Sequence, residues 1–422
     1  MPLFFSKTQS FGIELSTLSV KVAQAKKKKD KLILNSIGES PIPKGLIQKG
    51  VVEEEGEKDL AEIIKRTISS VKGKKIKTKY AICSLPEENA FIKLIQIPRT
   101  EEKEIGEVIK WQIESNFPVR LDDVYFDWEV ITPDGNFQKH GAKKDNVKTQ
   151  KSREPLNISV AVIPKGIVDS YLSIFKKANI QPVVFEIESM GVIRSLISNS
   201  FSPCPVVIVD IGKCGTGLTI FSGRTILFTS HIDICGQDFN GVISKNLKIS
   251  LVEAERFKKE IGLVKIDKSS QDSKKEFLPR PEWKIYHIPV IEKNKSQKKK
   301  LRKELAGGID LIKAAKADQI FSALVPILTD LTEQIQHYID YFKDFKKTEC
   351  VPDGMVKKII LCGGESRLIG LTNFISSSLK LPVELGNPLI NVSPFKSIFP
   401  NNNQRQALPY ATVIGLAIKG VE

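Results

Sequence analysis

Two segments, far apart in the chain, each end an apolar strand with an acid just before a turn of small residues. The first is Gly12-Ile-Glu-Leu-Ser-Thr-Leu-Ser-Val-Lys21 and the second is Val209-Asp-Ile-Gly-Lys-Cys-Gly-Thr-Gly217. Small side chains in such a turn let backbone N–H groups approach phosphate oxygens closely. The carboxylate before the turn, Glu14 or Asp210, can hold a magnesium ion, usually through water, and so offset phosphate charge. Ser16, Thr17 and Lys21 in the first segment, and Gly212, Gly215 and Thr216 in the second, are placed to meet a polyphosphate; Lys213 either adds a positive charge there or points to solvent, with solvent slightly favoured. Two such turns facing each other would clamp it from both sides. A third segment, Ile360-Leu-Cys-Gly-Gly-Glu365, stands at a strand-to-helix junction, where Gly363, Gly364 and Glu365 let the backbone pack against a flat adenine ring. Any one of these turns arises by chance, and turn geometry alone accounts for any single glycine. Their order on repeated units points to ATP with Mg2+.

The elements that must position these turns recur. Short strands are expected at Phe11 to Leu15, Ser19 to Ala25 and Lys31 to Ile37, followed by a helix over Asp59 to Val71 and a buried strand at Tyr80 to Leu85. The second half repeats the order with strands at Val206 to Ile211, Gly217 to Phe221 and Thr225 to Thr229, a helical region, a strand at Lys358 to Cys362 and a helix ending near Leu379. Each copy reads β-β-β-α-β-α. Ser250 and Glu253 form a capping box that opens a helix Gly262 can close. An insert interrupts the first copy, with strands at Phe91 to Ile97, Val124 to Ile131 and Ile158 to Ile163 and helices at Glu101 to Glu114 and Gly166 to Ala178. The polar stretch from Pro133 to Pro155 reads as a loop, and Lys265 to about Leu305 as an exposed excursion. The resulting division is a first lobe (1–90 and 181–203, with a C-terminal helix over 404–422), an inserted subdomain (91–180), a second lobe (204–240 and 345–400), and a helical subdomain (241–344) carrying a lysine-rich insert at 264–310.

Leu324, Leu328, Leu331, Ile335, Tyr338, Phe342 and Phe345 recur at alternating spacings of four and three. A coiled coil would use that stripe. A run of barely three heptads containing Pro326 favours one amphipathic helix packed on its own domain.

Composition narrows the function. The six cysteines include no Cys-x-x-Cys pair, and the four histidines show no metal spacing, so a zinc site, a disulfide framework and histidine catalysis are not expected. Formal net charge is +15, yet only 11 of the 64 basic residues are arginine. The lysine runs at 26–29, 72–79, 143–151 and 293–303 lack interleaved aromatics for base stacking, so solvated loops are favoured over a nucleic-acid footprint. Attraction to an anionic membrane surface stays open. No apolar run approaches the ~20 residues of a spanning helix and no signal peptide opens the chain, so a soluble protein inside the cell is expected.

The three turns in this order resemble the actin-like ATPase superfamily, which includes actin, the DnaK-type chaperones, sugar kinases and the division protein FtsA. Glu14 to Lys21 is similar to its first phosphate motif, Asp210 to Thr216 to the second and Leu361 to Glu365 to the adenosine motif. Glu188, in Glu186-Ile-Glu-Ser-Met-Gly191, falls on the first connecting segment, and Ala411 to Ala417 on the second. Ile95-Gln-Ile-Pro98, Trp111-Gln-Ile-Glu-Ser-Asn-Phe-Pro118, Leu121-Asp-Asp-Val-Tyr-Phe-Asp127, Glu253-Ala-Glu-Arg-Phe-Lys258 and Val383-Glu-Leu-Gly-Asn-Pro388 resemble the PilM family of the type IV pilus inner-membrane platform.

That resemblance implies an α/β actin-like fold of two duplicated ribonuclease-H-like lobes with a subdomain inserted in the first. It also implies bound ATP and Mg2+, the metal held through water by Asp210 and Glu14, and Glu188 as the candidate catalytic acid. The partner it implies is the N-terminal cytoplasmic tail of a PilN-like bitopic membrane protein, beside other pilus platform components at the cytoplasmic face of the inner membrane. Trp111, Phe117 and Pro118 are the groove residues suggested for that tail, although packing at the edge of its helix's apolar stripe is the commoner role for a Trp placed like Trp111. The first phosphate turn departs from the family pattern, with Glu14 where Asp is usual and Ser16 where Gly is usual. A longer carboxylate and an added Cβ crowd the phosphates, so ATP binding is expected with weak or no hydrolysis. An FtsA-like division protein and a small-molecule kinase are the rival readings. The first would end in an amphipathic membrane helix absent here, and the second needs a substrate-side base the sequence does not display.

Overall fold

The computed structural model describes residues 9–131, 137–138, 155–263, 311–344 and 355–421, apart from Asp30, Lys49, Glu53, Lys396 and 401–402. Most of the polar loop at 133–155, the whole of the 265–305 excursion, two lysine runs and Phe345 therefore lie outside the described residues.

Two sheets organise the fold. In the first, β1 (Phe11–Ser16), β2 (Ser19–Lys28) and β3 (Lys31–Pro41) form an antiparallel meander. After a small hairpin of β4 (Ile47–Gln48) and β5 (Val51–Val52), helix α1 (Glu57–Ser69) crosses back. A short edge strand β6 (Lys72–Gly73) pairs with β3, and β7 (Tyr80–Leu85) lies parallel to β1. The register sets Glu14 opposite Lys21, and Lys21 opposite Glu39, in one row across three strands.

The insert follows. Strand β8 (Phe91–Ile97), helix α2 (Glu102–Asn116) and strands β9 (Val124–Ile131), β10 (Phe137–Gln138) and β11 (Leu156–Pro164) close a core of Ile95, Ile105, Ile109, Ile113, Trp128 and Val160. Helix α3 (Lys165–Lys177) leaves that core and buries Tyr171, Ile174 and Phe175 against Leu60 and Ile64 of α1, so its apolar stripe serves the first lobe. Strand β12 (Gln181–Ile187) then completes the first sheet beside β7, and helix α4 (Glu188–Leu196) leads away.

The second lobe repeats the plan. Strands β13 (Ser202–Ile211), β14 (Thr216–Gly223) and β15 (Thr225–Ile232) form the antiparallel meander. Helices α5 (Gly236–Leu247), α6 (Leu251–Ile261) and α7 (Leu311–Asp344) precede β16 (Lys358–Cys362), α8 (Leu371–Leu379) and β17 (Val383–Leu385). β16 and β17 are parallel to β13. One pairing, Phe228 with Lys93, joins this sheet to the insert's strands. Strand β18 (Ser393–Pro394) returns to the first sheet, and α9 (Ala411–Lys419) packs on β1 and β2. This is the expected α/β architecture of two duplicated lobes.

The capping box at Ser250 forms as expected: its hydroxyl accepts from the Glu253 N–H at 3.3 Å while Glu253 accepts from the Ser250 N–H. Along α7, Leu324, Leu328, Leu331 and Ile335 are fully buried in the second-lobe core beside Phe239 and Ile243. The stripe is spent inside its own domain, and Pro326 stands on the exposed face.

Candidate functional site

The turns from both lobes meet on one cleft of about 600 Å³, lined by Glu14, Ser16, Thr17, Lys21, Glu188, Asp210, Gly212, Lys213, Gly215, Gly363, Gly364 and Glu365. Each is there because a strand ends there: β1 and β2 deliver the first turn, β13 and β14 the second, and β16 the third.

The register of the first meander has a chemical consequence. Glu14 Oε1 receives a hydrogen bond from Lys21 Nζ at 2.5 Å, so the acid and the cation of the first turn neutralise each other. Burial works to lower the Lys21 ammonium, but Glu14 beside it, with Glu39 and Asp210, holds it above the usual range. The Ser16 hydroxyl bonds Ser19 and closes its own turn, with Oγ 3.1 Å from the Ser19 carbonyl oxygen.

The second turn is tighter. Gly212 N–H donates to the Gly215 carbonyl at 2.9 Å, and a Cβ on Gly215 would stand 2.3 Å from the His231 ring. Thr216 is fully buried, gives its hydroxyl to the Ile234 carbonyl at 2.6 Å and does not line the cleft. The structure therefore corrects its reading as a phosphate contact, because the strand pleat turns it inward. Lys213 is half-exposed and reaches Glu255 at 3.8 Å.

Of the paired glycines, Gly363 is demanded by packing rather than by a ligand. Its φ is +83°, and a Cβ would meet Asp210 Oδ1 at 2.3 Å. Gly364 has open space where a Cβ would stand, on the cleft side. Glu365 pairs at 2.7 Å with Lys258, whose side chain is almost wholly buried and also donates to the Gly236 carbonyl. That pair ties α6 to the third turn.

Glu87 was not singled out by sequence reasoning, and it joins the cluster. Its carboxylate accepts from the Ser189 N–H at 2.9 Å, while Glu188 accepts from the Glu87 N–H at 3.2 Å. The Pro86-Glu87 step directly after a buried strand was the available signal. Glu255 and Lys259, one turn apart on α6 and paired at 2.6 Å, also line the cleft. Their i,i+4 spacing in Glu-Arg-Phe-Lys-Lys was the signal there.

Burial pushes the Glu87 carboxyl up to about 7 and the Asp210 carboxyl up to about 6, the latter also opposed by Glu14. Burial raises Glu188 well above its ordinary value, with Glu14, Glu87 and Asp210 adding to the effect. Acids raised this way take up protons on folding, so they favour the folded state below the unfolded value near 4. That contribution is lost as pH rises through about 7. Glu87→Gln, which stays neutral, is therefore expected to match the wild type in urea unfolding at pH 4 and exceed it by on the order of 2–3 kcal/mol at pH 8. Equal differences at both pH values would contradict this.

The family model described as type IV pilus assembly protein PilM matches residues 12–268. The chain belongs to the PilM family. A model of the cell division protein FtsA matches residues 207–415 of this PilM-family chain. The structure of a PilM-PilN type IV pilus biogenesis complex superposes with a TM-score of 0.72 at 20% identity, covering 99% of this chain and 99% of that one. MreB 5 of Spiroplasma citri bound to AMPPNP gives a TM-score of 0.48 at 13% identity, over 97% and 95% of the two chains. FtsA of Bacillus subtilis (strain 168) is 26% identical over 133 residues, which are 32% of this chain and 28% of that relative. The match thus spans under a third of that relative's length. Among the described residues, no helix is long and apolar enough to cross a membrane.

Of the suggested groove residues, Trp111 is 82% exposed on α2, not packed at the stripe edge. Phe117 is buried, with its ring edge-on to Phe91 at 6.5 Å between centroids. It serves the insert's core, and Phe117 and Pro118 border a shallow groove with Val119, Arg120, Asp123 and Pro164.

Proposed function

We propose that this chain is a cytoplasmic ATP-binding scaffold of the type IV pilus assembly platform that binds the N-terminal tail of a PilN-like bitopic membrane protein. One observation carries the nucleotide reading: turns from both lobes converge on one cleft that holds Lys21 for phosphate and open space at Gly364 for a flat ring.

The donor set suits Mg2+. Glu14 Oε2 and Glu87 Oε1 are buried without a hydrogen-bond partner, and hard carboxylate oxygens are what that ion takes. Among the described residues no three such side chains close on a single point, which favours an ion held through water by Asp210 and Glu14. Bound there, it would offset the charge of the phosphates.

Slow turnover follows from the same residues. Glu14 engages Lys21, and Ser16 fills the turn where a glycine would leave room, while burial and the neighbouring acids raise Glu188 well above the ordinary carboxylate range. ATP would hold the lobes in one orientation and so set the shape of the partner groove. Calorimetry of the intact chain with ATP and Mg2+ tests the reading, and no binding would refute it.

For the tail, the exposed Trp111 stands on α2 about one and a half turns before its end, and the groove at Pro118 opens just past that end. Roughly ten residues of extended tail reach across both. Trp111→Ala is expected to weaken tail-peptide binding by ~1–3 kcal/mol while leaving ATP affinity unchanged. Phe117→Ala is a poor probe, because emptying a core position costs ~3–5 kcal/mol of stability. Unaltered peptide binding by the Trp111 variant would move the groove elsewhere.

A further inference from the structure

The fold brings together two lysine runs that lie some forty residues apart in sequence. Five lysines stand between Lys26 and Lys31, at the tip of the β2–β3 hairpin, and five more between Lys72 and Lys79. The second run starts on β6 beside Ser36 and Ile37, level with Ala23 and Gln24 of β2. It ends at β7, whose Ala81 pairs with Phe11 at the start of β1. The run therefore crosses the same end of the first sheet from which the hairpin tip projects.

All ten lysines are exposed, Asp30 is the sole acid in either stretch, and among the described residues no carboxylate pairs with any of the ten. Elsewhere among the described residues lysines do pair with acids, as at Lys65, Lys110, Lys177 and Lys358. This end has been left with a concentrated, uncompensated positive charge. The hairpin tip projects along β2 away from the cleft, roughly 20 Å beyond Lys21 at about 3.3 Å per residue.

We propose that this end of the first lobe is a docking surface for an anionic lipid bilayer. Lysine without arginine gives compact charges on flexible stems, which suit smeared headgroup charge better than bidentate phosphate recognition. A nucleic-acid surface would add arginine forks and aromatic platforms, and neither run contains either residue type. The choice of a membrane as occupant rests on the platform role proposed above. The surface then gives the chain a second hold on the membrane, independent of the tail groove and of the nucleotide.

Polybasic attraction amounts to about fivefold in partitioning per lysine near an anionic surface and fades beyond the ~10 Å screening length at 0.1 M salt. The test is co-sedimentation of the full chain, without partner peptide, with phosphatidylcholine vesicles and with vesicles containing phosphatidylglycerol. The wild type should sediment with the anionic vesicles at low salt and be released at high salt. Lys27→Glu, Lys28→Glu, Lys75→Glu and Lys77→Glu together should lower that binding at least tenfold while ATP affinity and the far-UV circular dichroism stay as in the wild type. No sedimentation with anionic vesicles, or equal sedimentation of the variant, overturns the proposal. So does a DNA duplex that binds the wild type more tightly than the vesicles and loses binding in the variant. Tail-peptide binding, measured without lipid, scores the platform reading separately.

Discussion

Gly415→Ala should destabilise the protein by about 3 kcal/mol or more, the largest effect expected of any single methyl group here. A Cβ at Gly415 would stand 1.8 Å from the Gly191 carbonyl oxygen, and neither partner is the movable end of a side chain. Gly191 is constrained reciprocally, since its own Cβ would meet the Thr412 carbonyl at 2.8 Å. At the crossing of α4 and α9 the two helices pack backbone against backbone. Arg194 fastens it with two hydrogen bonds to Glu186, at 2.7 and 2.9 Å, and a third to the Gly415 carbonyl at 3.3 Å. On the other side of α9, a Cβ on Gly12 of β1 would stand 2.7 Å from Ala417 N, so the helix has no room to retreat. Urea unfolding checks this directly. A shift under about 1 kcal/mol would mean that the crossing is looser than its backbone contacts imply.

Asp210→Ala should weaken ATP binding in Mg2+ by at least tenfold and leave binding in EDTA little changed. The carboxylate ends β13 at the second turn of the cleft, and without it a cation there loses a donor. The same substitution should stabilise the ligand-free protein above pH 7. It removes a charge that burial and Glu14 oppose, and the Cys362 thiol that bonds Asp210 loses only a weak partnership. A merely structural aspartate would show loss of stability together with loss of binding in both buffers. Calorimetry with and without the metal, and urea unfolding at pH 8, separate the two cases. Equal loss of ATP affinity in Mg2+ and EDTA would remove Asp210 from the metal's surroundings.

Much of this was legible in the residues. Strand and helix positions followed from alternation and from the three-to-four spacing, because half-buried strands and one-sided helices write their burial into sequence. The strands Tyr80–Leu85, Phe91–Ile97, Val124–Ile131 and Lys358–Cys362 begin and end where the pattern places them. The three turns were legible because acids and small residues after apolar strands are locally unusual, and their convergence followed from the repeated order of elements. What local pattern cannot carry is which groups face each other across the cleft.

Glu14 and Lys21 are cross-strand partners only once a two-residue turn sets the register. Glu87 enters the acid cluster through a reciprocal backbone exchange with Glu188 and Ser189, across a separation of about a hundred residues. Thr216 turned inward and Gly363 was required by Asp210 for the same reason, since pleat direction and close approach belong to the assembled sheet. Helix α3 joined the first lobe because its apolar stripe found α1, a choice made by tertiary packing between two available cores. The sequence by itself determined the elements, the duplicated order and the three small-residue turns that meet on the cleft. The tertiary structure alone decided the pairing of charges, because the energy of a buried acid depends on neighbours that only folding supplies.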